Sequence, residues 1–398
     1  MRLSTSNTYS NALDSLVDRQ ARLAGTQEQM STGKRVNRAS DDPAAAARSE
    51  RALSAERRTV ATQRAVDASD NAMTLTESAL ADSVTLLQSA REALVAAGNS
   101  TYTDAERKGV ANQLQDLRDQ LFAVANRTDG AGAHLFGGQG SNQAPFVDVP
   151  GGVQFQGSSG QVQAATNDAL PLTLDGQGTW MQARTGNGVF ETRALTSTGT
   201  AVIDSGKVVD PSALTGSTYS LQFSVAGSAT TYSVLKDGLP TAQTNLAFTP
   251  GQAIQVDGMS ATITGAPANG DNFELAPSTA NLSVFGALDK AIADLKTPGR
   301  SGSRIAQSNA ANLTSVDSVL GQVISARSQV GAVMNRVDSV TDRLSSLKLS
   351  SQTERSNAED LDMTQAISDF SNQQTGYDAA LKAYSMVQRL SLFNYLNV

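Results

Sequence analysis

Residues 66–94 read VDASDNAMTLTESALADSVTLLQSAREAL, and in them Val66, Met73, Leu80, Leu87 and Leu94 recur at intervals of seven, with Val84 between. An apolar position every seventh residue keeps one face of an α-helix turned toward a partner helix along its length. The same spacing returns at Val323, Val330, Val337 and Leu344, and another set runs Val110, Leu114, Leu117, Leu121 and Val124. Thr103 stands ahead of that set with Glu106 three residues on, the pairing of a capping box. These stretches predict long helices packed side by side in a bundle.

Outward from the bundle, the composition changes where the repeat stops. Residues 141–283 hold 17 of the 32 Gly and 8 of the 10 Pro, but only 14 of the 69 charged residues. Helix interiors are weakened by both residue types, whereas turns between strands need them. Here apolar positions alternate: Val147 and Val149, then Val153 and Phe155, flank Pro150-Gly151-Gly152. Tyr219, Leu221, Phe223 and Val225 precede Gly227-Ser228 and are answered by Tyr232 and Val234. Asp257-Gly258, between Val256 and Ala261, is the strongest hairpin signal in the chain. The fold class expected is α+β, mainly helical, with long coiled-coil or bundle helices from both chain ends and an inserted antiparallel β domain of sandwich or barrel type.

At the chain ends the 3-4 repeat appears as Leu13, Leu16, Gln20, Leu23, Gln27 and Met30, and as Met363, Ile367, Phe370, Gln374, Tyr377, Leu381 and Tyr384, with Val387, Leu392, Phe393 and Leu396 beyond. A lone helix would leave such a stripe wet, so it calls for a partner helix, another subunit or a chaperone. Leu13, Leu16, Leu23, Met30, Ile367, Phe370, Tyr377, Leu381, Tyr384, Leu392 and Phe393 are the candidate assembly residues.

Little in the chain suggests chemistry. With no cysteine, thiol nucleophiles, disulfides and thiolate metal sites are excluded, and the single histidine, His134, rules out a multi-histidine metal centre. No catalytic, metal or cofactor-binding residues are expected. The net charge of −7 argues against nucleic-acid binding. The dense basic region, Lys34, Arg35, Arg38, Arg48, Arg51, Arg57 and Arg58, is interleaved with Asp41, Asp42, Glu50 and Glu56, so it reads as a salt-bridged subunit contact or a solvated helix face. Asp41 and Asp42, in Ser40-Asp-Asp-Pro43 before four alanines, read as a helix start rather than a carboxylate dyad. The glycines of 130–138 follow a helix and precede the insert, which fits a helix stop and hinge better than a phosphate cradle, and His134 among them reads as a packed loop residue. No stretch approaches a membrane span, and MRLSTSNTYSNALDSL lacks the apolar run of a cleaved secretory signal, so neither membrane insertion nor general secretion is expected.

Met30-Ser-Thr-Gly33-Lys-Arg35-Val36-Asn37-Arg-Ala-Ser40-Asp41-Asp42-Pro-Ala-Ala resembles the N-terminal signature of the bacterial flagellins and hook-associated proteins, with Gly33, Arg35, Asn37, Asp41 and Asp42 as its marked positions. Ala366-Ile367, Gln373-Gln374, Ala379-Ala380-Leu381 and Gln388-Arg-Leu390-Ser-Leu392-Phe393-Asn-Tyr395-Leu396 are similar to the closing helix of that family. The opening Met1-Arg-Leu-Ser-Thr-Ser and Gly132-Ala-His-Leu135-Phe136-Gly137-Gly138 look more like the hook-filament junction members than the filament flagellins.

The resemblance implies a structural, non-enzymatic subunit in layers: a terminal coiled-coil assembly domain of 1–40 plus 361–398, a helical bundle of 41–140 plus 284–360, and an outer β-rich insert of 141–283. It implies an adaptor at the hook-filament junction that supports attachment and nucleation of the filament, with filament flagellin itself as the alternative. Implied partners are a hook-side hook-associated protein, flagellin, further copies in a ring, and a cytoplasmic export chaperone on the C-terminal helix. The implied location is the extracellular flagellum, reached by the flagellar type III route. A reading from another class, a glycan-binding or enzymatic module in 141–283, has Asp148, Asp168, Asp175, Glu191, Asp204 and Asp210 to draw on.

Overall fold

Leu80, Leu87 and Leu94 are fully buried, as are Val66 and Met73 on the same stripe. The computed structural model describes the backbone of residues 5–140 and 143–396 and the side chains of 10–140 and 143–386. Its helices are α1 (Thr5–Thr32), α2 (Pro43–Ala97), α3 (Asp104–Ala125), α4 (Gly176–Trp180), α5 (Val284–Lys296), α6 (Gly302–Glu359) and α7 (Met363–Leu396). The chain divides into two compact units, one of residues 1–64 with 341–398 and the other of residues 65–340.

In the second unit α2 and α6 run antiparallel, fastened by Glu77–Arg327 at 2.5 Å and Arg91–Asp317 at 2.6 Å. Val319, Val323 and Val330 of α6 meet the α2 stripe in one core. α3 joins that core through Leu114, Leu121 and Val124. Its start is the expected box: the Glu106 amide donates to Thr103 Oγ1 at 3.3 Å, and the Thr103 amide to Glu106 Oε2 at 2.6 Å. α5 packs on α3, with Phe122 and Phe285 edge to face at 5.9 Å.

The insert is divided between two cores. The hairpin Phe146–Val149 with Gly152–Phe155 forms around Pro150-Gly151 as the alternation implies. Its Phe146, however, belongs to the helical core, as do Leu174, Trp180 and Ala183. Trp180 stacks on Phe285 at 5.8 Å with Phe136 edge-on at 5.4 Å, so the lone tryptophan locks this part of the insert to α5. Arg118 of α3, almost wholly buried, ties three elements together through Asp148 at 2.5 Å and Asp289 at 3.1 Å. Hydrogen bonding to Asp148 holds the guanidinium charged despite its burial, and holds the Asp148 carboxyl below the usual range.

Residues 190–277 form the antiparallel sandwich. One sheet runs in the order 246–247, 229–236, 219–226, 272–277, 190–196, and the other 253–256, 259–264, 202–203. Their inner faces share Phe190, Ile203, Tyr219, Leu221, Phe223, Val234, Ile263 and Phe273. Gly227-Ser228 and Asp257-Gly258 make the two tight turns, the latter with φ of +38° and +79° at its central residues. Asp271, fully buried, accepts from the amides of Thr198, Gly199 and Ala268. Burial pushes its carboxyl up, and these bonds outweigh the burial and bring it below the usual range. Polar side chains of α6 grip the insert backbone: Gln307 bonds both the amide and carbonyl of Ile203, and Gln322 donates to the Gly178 carbonyl at 2.7 Å.

Leu80→Ala or Leu87→Ala is expected to destabilise the chain by about 2–5 kcal/mol in urea unfolding, with loss of the buried Trp180 fluorescence as the readout. Ile324→Ala, at an exposed position of α6, should change stability by less than about 0.5 kcal/mol. Equal effects at both kinds of position would contradict the seam.

Candidate functional site

Gly33 ends α1 with φ of +71°, a left-handed conformation that a side chain resists even though open space surrounds the position. The turn it makes brings 33–37 alongside the junction of α6 and α7. The Leu361 amide donates to the Gly33 carbonyl at 3.0 Å, and the Arg35 amide donates to the Glu359 carbonyl at 2.7 Å. Lys34 and Asp360 form an antiparallel bridge. The Arg35 guanidinium donates to the Ala358 carbonyl at 2.9 Å and to Asp42 at 3.2 Å. One side chain thus links the end of α6 to the start of α2.

The two aspartates do separate work here. Asp42 Oδ1 accepts from the amides of Ala44 and Ala45, at 3.1 and 2.9 Å, and so caps α2. Asp41 Oδ2 accepts from the amides of Asn37 and Arg38, at 3.1 and 2.9 Å, and so closes the turn. The capping expected of Ser40-Asp-Asp-Pro43 therefore belongs to Asp42. Glu359 adds bonds to Ser49 at 2.7 Å and Lys34 at 3.3 Å. Glu359 had no motif to mark it in the sequence, because Ser49, which donates to it, lies 310 residues away. The Ala45 amide, then Arg35, hold the Asp42 carboxyl below the usual range.

From this clasp α1 and α7 extend as an antiparallel pair, Thr26 Oγ1 donating to Gln373 at 3.0 Å. The stripe residues divide. Leu16 is buried, while Leu23, Met30, Phe370, Tyr377 and Tyr384 are half-buried. Leu13, Ile367 and Leu381 remain 46, 54 and 48% exposed. Val17, 56% exposed, joins that outward set and was missed by the repeat. Leu392 and Phe393 lie outside the residues whose side chains are described, as does the Met1–Ser4 part of the opening motif. A fully buried Leu or Ile side chain contributes roughly 1.5–3 kcal/mol, so the outward set holds back binding energy that another surface could recover.

Asp148, Asp175, Glu191, Asp204 and Asp210 hold the fold through their carboxylates. Asp148 pairs with Arg118, Asp175 caps α4, Asp210 caps the 3-10 turn Pro211–Ala213, and Glu191 pairs with Arg193. Asp204 accepts from the amides of Gly206 and Thr262, and the Asp168 carbonyl accepts from Thr166. His134 Nδ1 lies 2.9 Å from the Asn126 carbonyl, which can only accept, so Nδ1 carries the proton. Among the described residues, no group of His, Asp or Glu is placed to hold a metal ion, and no helix is long and apolar enough to cross a membrane.

Both helical flanks match known families. Residues 3–141 match the bacterial flagellin N-terminal helical region, and 313–396 match the C-terminal helical region. The flagellar junction protein FlgL of Legionella pneumophila is 30% identical in its solved structure, with a TM-score of 0.63, covering 70% of this chain and 94% of that one. The chain belongs to the bacterial flagellin family. A second solved structure, flagellar hook associated protein-3 of Legionella pneumophila, has a TM-score of 0.71 at 28% identity, covering 76% of this chain and 97% of that one. Flagellar hook-associated protein 3 of Escherichia coli K12 is 28% identical over 99% of both chains. As a member of the flagellin family the protein is a structural component of the flagellum, and its turn at 33–42 is the clasp that joins α1, α2, α6 and α7.

Gly33→Ala is expected to lower the stability of the unit formed by both chain ends by about 1–2 kcal/mol, read by hydrogen exchange across 33–42. Asp42 is depressed in the folded state, so its contribution is complete above the unfolded carboxylate range and is lost as pH falls through the depressed value. Asp42→Asn should therefore flatten the acid limb of the stability profile; an unchanged acid limb would show that the cap carries no linkage.

Proposed function

We propose that this protein is the adaptor at the hook-filament junction, attaching to a hook-side hook-associated protein and presenting the surface on which flagellin nucleates. The observation that carries the reading is the match to flagellar hook-associated protein 3 over 99% of both chains, insert included, whereas the flagellin models take in only 3–141 and 313–396. A filament subunit would share the helical flanks without needing this insert.

The mechanism follows from the divided stripe. Packing α1 on α7 satisfies Leu16 and part of the aromatic row, and leaves Leu13, Val17, Ile367 and Leu381 for neighbours. Copies of the chain would associate in a ring, with hook-side and filament-side partners using the same kind of helical seam. The terminal coiled-coil domain of 1–40 plus 361–398 and the bundle of 41–140 plus 284–360 would supply those seams, with 141–283 outermost. Before export by the flagellar type III route, an exposed apolar row needs a cover, and a cytoplasmic chaperone on α7 would supply it.

Deleting the gene in its host should leave bare hooks with monomeric flagellin in the medium; loss of the major filament protein itself would make this chain the flagellin. Leu381→Glu, at a position exposed in the folded chain, should weaken chaperone binding at least about tenfold by calorimetry, the change produced by losing about 1.4 kcal/mol. Unchanged affinity would remove α7 from that complex.

A further inference from the structure

The first part of α2 carries five exposed arginines, Arg48, Arg51, Arg57, Arg58 and Arg64, and among the described residues none of them pairs with a carboxylate of its own chain. The three cationic positions just before them, Lys34, Arg35 and Arg38, all have such partners, in Glu359, Asp42 and Glu28. Arg57 and Arg64, seven residues apart, fall on one face of α2 and present unpaired cations there, in a chain of net charge −7.

Two of these arginines border a groove of about 340 Å³ between α2 and α6, wholly within the unit formed by the chain ends. Leu53, Val60 and Ala61 are its apolar lining, and Arg57, Arg64 and Arg355 its cationic lining. The single carboxylate in it, Glu56, is already answered by Gln352 at 2.8 Å and Arg355 at 3.9 Å. Such a groove suits a helix that carries an apolar row beside an acidic one.

α1 carries that pattern. Leu13 and Val17 are exposed four residues apart, and Asp14 and Asp18 follow each by one residue, so an apolar row and an acidic row lie side by side on one outward surface. Leu16, between them in sequence, is buried.

We propose that the α2/α6 groove receives the Leu13–Asp18 strip of α1 from a second copy of this chain. The proposal rests on the self-association in the junction role and names its contact. Each copy has one groove and one strip, so the contact is heterologous; it passes from copy to copy and ends in a ring if the rotation closes. The apolar rows would exclude water, while Asp14 and Asp18 would meet Arg57 and Arg64.

The absence of cysteine makes the test direct. Full-length Val17→Cys and Ala61→Cys chains, differently tagged and mixed under oxidation, should give a disulfide-linked heterodimer. In sedimentation velocity Arg57→Glu with Arg64→Glu should weaken self-association at least about tenfold. Pairing that variant with Asp14→Lys, Asp18→Lys chains should restore it, and added salt should weaken the wild-type association. A chain that stays monomeric, self-association indifferent to charge reversal, or absence of the heterodimer would each overturn the groove contact. Bare hooks on gene deletion together with any of these results would sink the groove and leave the junction role standing.

Discussion

The structure depends on one constraint: a long apolar stripe on α2 must be dry over its whole length. Met73, Leu80, Leu87 and Leu94 are buried in one core with residues of α6 and α3, which keep the stripe dry between them. Small residues let the helices approach: Ala72, Ala79, Ala90 and Ala93 on α2 lie in the same core as the leucines. The ion pairs along the edge, Glu77–Arg327 and Arg91–Asp317, fix register more than they add stability, since both are substantially exposed.

That frame organises the insert. Its first part has too little apolar surface to make a core alone and spends it on the helices, with Phe146 and Trp180 against Phe285. Only from Phe190 onward does the chain make a second core, between two sheets. Arg118 sits where these arrangements meet. Its burial is tolerable because Asp148 and Asp289 are within bonding distance, and removing either would leave a poorly compensated charge in the interior.

At the chain ends the physical logic is reversed. The clasp at 33–42 and 358–362 is made largely of backbone hydrogen bonds and short polar side chains, so it fixes direction without burying much surface. α1 and α7 then satisfy each other in part, and what remains apolar faces outward. The exposed Leu13, Val17, Ile367 and Leu381 are what the proposed assembly role would use, and arginines of α2 that have no carboxylate partner among the described residues add charge beside them.

The long helices and the tight hairpins were legible in the chain because each depends on neighbours a few residues apart: the heptads, Thr103 with Glu106, Ser40-Asp-Asp-Pro43 as a helix start, Asp257-Gly258. Gly33 and Arg35 could be marked, but not what they hold, since their partners Ala358, Glu359 and Leu361 lie more than 300 positions on. Sequence separation also hid Arg118 with Asp289, 171 residues apart, and Trp180 with Phe285. It also hid the division of the terminal stripe, because periodicity marks which residues are apolar but not how many of them one partner helix can cover. Local periodicity and capping chemistry are written in sequence order and determine the elements by themselves. Which faces stay open, and which charges go unanswered, is decided only when those elements meet, because burial is a property of the surfaces that surround a residue.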